Sequence, residues 1–300
     1  MRLLSAAILC LALAGCQVKK SASLHIDPTL ESLVPADTVM VAGANVDAIR
    51  ETSVYQKLLT RLPLPQLGEF SRQTGLDPRK DLSQILSCWD GKHALFMARG
   101  KFRPADLEAR LKSNGANPFG YKKYRLFGNE QNAIVFLNDS TVAAGPATAL
   151  RSLIDQGPSN RGLPPALAEL LRALPGNDQI YAALIGGIGG LDLAMPKADI
   201  LGNVAQVLQA VDSAALGVDL SKGLDAMARV NSKTQRDAKF VHDMVRGLVG
   251  FGRLNAPDNQ PELLKLYDAI QVTQQQTLTV VKADIPPDQT DRFLDLLQKR

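Results

Sequence analysis

The feature that most constrains this chain is an ungapped internal match: Ala94-Leu95-Phe96-Met97-Ala98-Arg99 recurs as Leu224-Asp225-Ala226-Met227-Ala228-Arg229, with Met-Ala-Arg in register at an offset of 130. A second echo precedes each copy. Leu33-Val34-Pro35-Ala36-Asp37 leads into the apolar run Thr38–Gly43, and Leu174-Pro175-Gly176-Asn177-Asp178 leads into Gln179–Ile185. Both runs read as buried strands behind a proline and an aspartate. Each matched segment reads as the second arm of a hairpin. The first turns at Asp90-Gly91, where glycine supplies positive φ, and the second around Leu220-Ser221-Lys222-Gly223.

A helix is predicted after each hairpin, over Pro104–Lys112 and over Thr234–Gly250. The second places Phe240, Val241, Met244, Val245 and Leu248 on one face, as a core-facing helix does. Strand-like segments at Ala133–Leu137, Thr141–Ala144 and Thr277–Ala283 then precede closing helices at Pro146–Asp155 and Pro287–Gln298, each opening on a proline that suits a first helical turn. The expected fold is therefore α+β, two tandem repeats of β-α-β-β-α-β-β-α with mostly antiparallel sheets. The first unit spans 33–156 and the second 174–300. Residues 157–173 form a Gly-Pro-rich linker with a possible helix at Pro164–Leu174.

The chain opens on Met1-Arg2 and an apolar tract, Leu3–Leu13, that is too short to span a bilayer of roughly 30 Å and ends at Leu13-Ala14-Gly15-Cys16. These residues resemble the bacterial lipobox, and nearly the whole mature length resembles bacterial envelope lipoproteins built of tandem α+β units. The resemblance implies cleavage of the signal 1–15, lipidation of Cys16, and a tether over 16–32. Gln17 after the cysteine implies sorting to the outer membrane, facing the periplasm. An ordinary secretion signal with an incidental cysteine is the alternative reading of the same residues.

A hydrophobic share of 45% and a charged share of 21% are those of a globular chain. The net charge of +4 includes Arg2, and the basic residues are interspersed with acidic ones, so no nucleic-acid stripe is read. The densest basic cluster, Lys122-Lys123-Tyr124-Arg125, reads as a strand with a solvated face, the alternative being contact with anionic lipid or nucleic acid. With Cys10 in the signal and Cys16 lipidated, Cys88 has no disulfide partner and is expected to be buried beside Ile85, Leu86 and Trp89.

Catalytic and cofactor signatures are not found. Gly186-Gly187-Ile188-Gly189-Gly190 follows a strand, but a third glycine fails where Asp192 stands and no Lys-Ser/Thr follows. His25, His93 and His242 lack the spacing of metal ligands, and Cys88 is flanked by bulky apolar residues. No metal or cofactor is expected. The helical stripe Ala198–Val211 could close an apolar groove in the second unit. The leading expectation is a non-enzymatic, lipid-anchored envelope protein that presents a surface to another envelope protein. The second is a carrier of an apolar ligand or lipid, and the third a hydrolase whose triad is assembled from distant residues.

Overall fold

The computed structural model describes residues 24, 26–61, 68–69, 71–72, 75–156, 162–186, 209–257 and 259–298. The chain is mixed α+β, and its strands join in one antiparallel sheet of twelve. In chain order the strands are β1 (Met40–Asn45), β2 (Leu82–Trp89), β3 (Ala94–Gly100), β4 (Pro118–Tyr121), β5 (Tyr124–Gly128), β6 (Ala133–Asn138) and β7 (Thr141–Gly145). They continue as β8 (Ile180–Ile185), β9 (Val211–Asp219), β10 (Leu224–Ser232), β11 (Ile270–Gln275) and β12 (Leu278–Ile285). Their order across the sheet is β11-β12-β10-β9-β8-β1-β2-β3-β7-β6-β5-β4. The first strands of the two halves pair with each other, Val41 opposite Ala183, so both halves contribute to one sheet.

The helices described are α1 (Pro28–Glu31), α2 (Val46–Arg50), α3 (Ser53–Arg61), α4 (Pro78–Asp81), α5 (Pro104–Ser113), α6 (Ala147–Asp155), α7 (Pro165–Arg172), α8 (Gln235–Leu254), α9 (Pro261–Asp268) and α10 (Pro287–Gln298). Cross-strand pairing puts Leu95, Cys88, Val41, Ala183 and Ala215 in one row on one face, and all five are buried. Leu30 of α1, Leu150 and Leu153 of α6, and Leu167 and Leu171 of α7 complete that core. Burying a leucine side chain stabilises by about 2 kcal/mol before entropy is counted, so this face dominates the fold's stability. Gly43 lies under the ring of its partner Tyr181, and a Cβ there would overlap the ring.

The adjacent row alternates to the other face: Phe96, Ser87, Ala42, Ala182 and Leu216. Small residues fill its middle, while Phe96 and Leu216 are exposed. At one end Leu107 of α5 and Phe102, just before that helix, cover this face. At the other, α8 sets Ala238 and Val241 against the sheet, and Thr279 Oγ1 of β12 donates to the Ala238 carbonyl at 3.1 Å. Lys57 of α3 pairs with Asp291 of α10, a second tie between the halves.

Several expectations need correction in detail. The first half carries two further strands, β4 and β5, between its helix and β6, and the second carries α9 and the strand β11 before β12. Helix α8 does not stop at Gly250 but runs to Leu254, and Leu248, expected on its core face, is 45% exposed. The linker helix exists as α7 and packs on β8.

Candidate functional site

The lipobox residues Leu13, Ala14, Gly15 and Cys16 lie outside the described residues, as do His25, Gly187–Gly190 and 198–208 of the expected groove. Cys88 is buried at 2% exposure, and desolvation pushes its thiol up to about 12, with only a partial offset from Thr38. It lines a cavity of about 210 Å³ with Asp90 and His93. His93 Nδ1 lies 3.4 Å from Asp90 Oδ2, while the same carboxylate caps the turn by accepting from the Lys92 and His93 N–H groups at 2.7 Å. A thiol held protonated is a poor nucleophile, so this grouping reads as a turn against a core cysteine. His242 is partly buried and bonds Asp243 at 2.9 Å. Among the described residues no group of three or more His, Cys, Asp or Glu could hold a metal ion.

Four surfaces stand out instead. The first is the C-terminal half of α8, where Leu248, Phe251 and Leu254 are 45%, 58% and 87% exposed. Their spacing of three carries them along one side of the helix. Gly247 and Gly250 lie beside them with open space where a Cβ would be. Glycine in mid-helix costs up to about 1 kcal/mol, so this end of α8 is weakly favoured by propensity and is supported by the packing of Gly252 against Tyr267 of α9.

The second is an apolar cavity of about 180 Å³ between α5 and the sheet, lined by Leu76, Leu82, Ala98, Phe102, Leu107, Leu111, Ile134, Phe136 and Val142. All nine of these side chains are apolar. Phe102 and Phe136 meet there with ring centroids 6.2 Å apart.

The third is a basic, aromatic groove of about 700 Å³ at the β4 edge, lined by Lys112, Phe119, Lys122, Lys123, Tyr124 and Arg125 with Glu108 the one carboxylate among its lining residues. The cluster noticed in the sequence is thus a two-residue hairpin turn, Lys122-Lys123, continuing into β5. Lys122 adopts φ +52 and pairs with Asp155 at 2.5 Å. Arg125 reaches Glu108 at 3.3 Å.

The fourth is an acidic group where β8, β9, β10 and β12 end together. Cross-strand pairing sets Asp219 opposite Asp225 and Asp225 opposite Asp284. Asp178, just before β8, is 9% exposed, and its Oδ2 is buried without a hydrogen-bond partner. Desolvation, then the charges of Asp219 and Asp225, push its carboxyl up to about 6. Burial also pushes at Asp219, but donors from Ser221, Gln179 and Asn177 outweigh it and hold that carboxyl low. Burial and the neighbours Asp284 and Asp219 raise Asp225, with Lys282 opposing.

The α8 end, the apolar cavity and the acidic group went unrecognised in the sequence, and only the basic groove had left a local signal. Among the described residues no helix is long and apolar enough to cross a membrane. No protein-family model matches this chain, and no curated protein matches it. Among solved structures, crystal form I of TP0453 is similar with a TM-score of 0.48 at 9% identity, over 92% of this chain and 98% of that one. Crystal form III of TP0453 gives 0.49 at 11% identity, over 92% and 99%.

Proposed function

We propose that this chain is a bacterial envelope protein, anchored by lipid on Cys16 and favouring the periplasmic side of the outer membrane, that acts as an interaction module for a second envelope protein. The observation that carries the contact surface is the row Leu248, Phe251 and Leu254 on α8. Three large apolar side chains on one exposed helix side, with glycines beside them, suit a helix or sheet of a partner laid close against the backbone. The anchor rests on the Leu-Ala-Gly-Cys order after a short apolar tract.

The test is in-cell photo-crosslinking from position 251, with Cys16→Ala as control. One envelope protein captured from the lipidated chain, and lost with Leu254→Ser, is expected. Capture of lipid alone, or membrane association unchanged by Cys16→Ala with no lipid label on the wild type, would overturn the reading.

The carbon-lined cavity under α5 favours a second reading, storage of an apolar ligand, although in the first half of the chain and not where the helical stripe at 198–211 suggested. Its volume suits a short hydrocarbon segment. Native mass spectrometry of the purified chain before and after organic extraction would separate the two.

The finer architecture is proposed as a duplication. Outward from the β1–β8 pair, both halves run through a hairpin (β2-β3; β9-β10), then their last strand (β7; β12), then the one before it (β6; β11). The matched Met97 and Met227 occupy corresponding strands in this order.

A further inference from the structure

We propose that the groove at the β4 edge seats the anionic headgroup surface of the membrane to which the chain is tethered, so that the protein lies on its bilayer with this edge down. The geometry rests on the Cys16 anchor proposed above; the chemistry of the groove does not.

Charge points to the occupant. Arg125 and Lys122 are matched by Glu108 and Asp155, but among the described residues Lys112 and Lys123 have no carboxylate partner. Each ammonium instead stands over a ring, Lys112 at 5.9 Å from the Phe127 centroid and Lys123 at 5.3 Å from that of Tyr124. Such contacts hold the stem against the protein and leave the donors free. Partly buried Phe119 and Tyr124 supply amphipathic rings of the kind that settle at headgroup depth.

Chain length points to the same surface. Seven residues separate Cys16 from Leu24, eight steps along the chain and a reach of at most about 28 Å when fully extended. Leu24 and Ile26 then pack on the core that Phe119, Tyr121 and Tyr124 also border, and Thr29 and Leu33 share a small cavity with Tyr124. Asp27 pairs with Arg99, which also donates to Ser140 in the β6–β7 turn. Strand register sets that turn at the same end of the sheet as Lys122-Lys123, since Leu126 opposes Val135 and Asn138 opposes Thr141. An anchored lipid therefore brings the corner formed by β4 to β7 to the headgroups. The acidic group shares these strand ends but begins just before β8, six strand steps from β5 and roughly 29 Å away, well beyond the screening length of about 8–10 Å, so with the β4 edge down it stands clear of the headgroups.

The test is flotation of the Cys16→Ala chain with phosphatidylcholine vesicles containing phosphatidylglycerol, and with neutral phosphatidylcholine vesicles, at low and high salt. Binding to the anionic vesicles that salt abolishes is expected. Lys112→Gln with Lys123→Gln should weaken it by about 30-fold, near fivefold for each lysine at an anionic surface. The charge-matched pair Lys92→Gln with Lys222→Gln, both exposed elsewhere, should leave it nearly unchanged. Equal binding to neutral vesicles, no effect of the groove pair, or an equal loss from the control pair would overturn the proposal. A missing lipid label on Cys16 in cells would sink the anchor while leaving the vesicle result standing, so the two failures are distinguishable.

Discussion

Replacing Asp178 by asparagine should make the protein more stable, and only above the acid range. The carboxyl is 9% exposed, has one oxygen without a partner, and lies against the Gly217 backbone facing Asp219 and Asp225. Its pKa rises from 3.8 to about 6 on folding. The native state therefore keeps a proton that the unfolded chain has released, and stability falls as pH rises. The contribution is fully present below the unfolded value near 4 and is lost as pH passes through about 6. Moving from 3.8 to about 6 corresponds to about 3 kcal/mol at neutral pH. Asparagine keeps the shape and removes the charge, so Asp178→Asn should gain about 2–3 kcal/mol at pH 7.5 and about zero at pH 4. For a chain of this size that is roughly a 3–5 °C rise in Tm. The assay is a thermal melt of both proteins across pH 4–8, read as the difference, so that carboxylates held low, such as Asp219 and Asp77, cancel. Equal melting at pH 7.5, or a gain of the same size at pH 4, would refute the reasoning.

Other expectations can be checked with the same material. Met97→Asp should cost more than about 4 kcal/mol, because Met97 is 1% exposed and a carboxylate there is buried without a partner, whereas the matched Met227 is only half-buried and Met227→Asp should cost about 1; equal losses in denaturant unfolding would contradict the asymmetry. The Cys88 thiol, pushed up to about 12, should resist a thiol-reactive dye at pH 8 in the native protein and react at once on unfolding, and rapid native labelling would show that it is not sealed in the core.

What the sequence made legible follows from local chemistry. The strands behind Pro-Asp and the hairpins at Gly91 and Gly223 were readable because both glycines supply the positive φ their turns need, +97 and +105. The β4–β5 and β11–β12 hairpins were not, because their positive φ falls on Lys122 and Gln276, both at +52, residues that signal no turn. Helix α8, expected to end at Gly250, runs on to Leu254, and Gly252 inside it leaves the room in which Tyr267 of α9 packs. A glycine that makes room for a neighbour and one that ends a helix look the same in one dimension.

The candidate surfaces divide along the same line. Lys122–Arg125 is contiguous and visible, while the groove needs Lys112 from α5 and Phe119 from β4 to give it walls. Asp178, Asp219, Asp225 and Asp284 span more than a hundred positions, and strand pairing alone brings them together. A net charge of +4 with signs interspersed along the chain suggested no directed field. Folding sorts those charges by strand, with lysines that lack a carboxylate partner among the described residues at the β4 edge and carboxylates at one end of β8 to β12. Because exposed charges are screened within about 8–10 Å, each cluster acts by its own sign and not by the total. The sheet's length is therefore what allows one nearly balanced chain to present an anion-seeking edge and, several strands away, a proton-sensitive group of carboxylates.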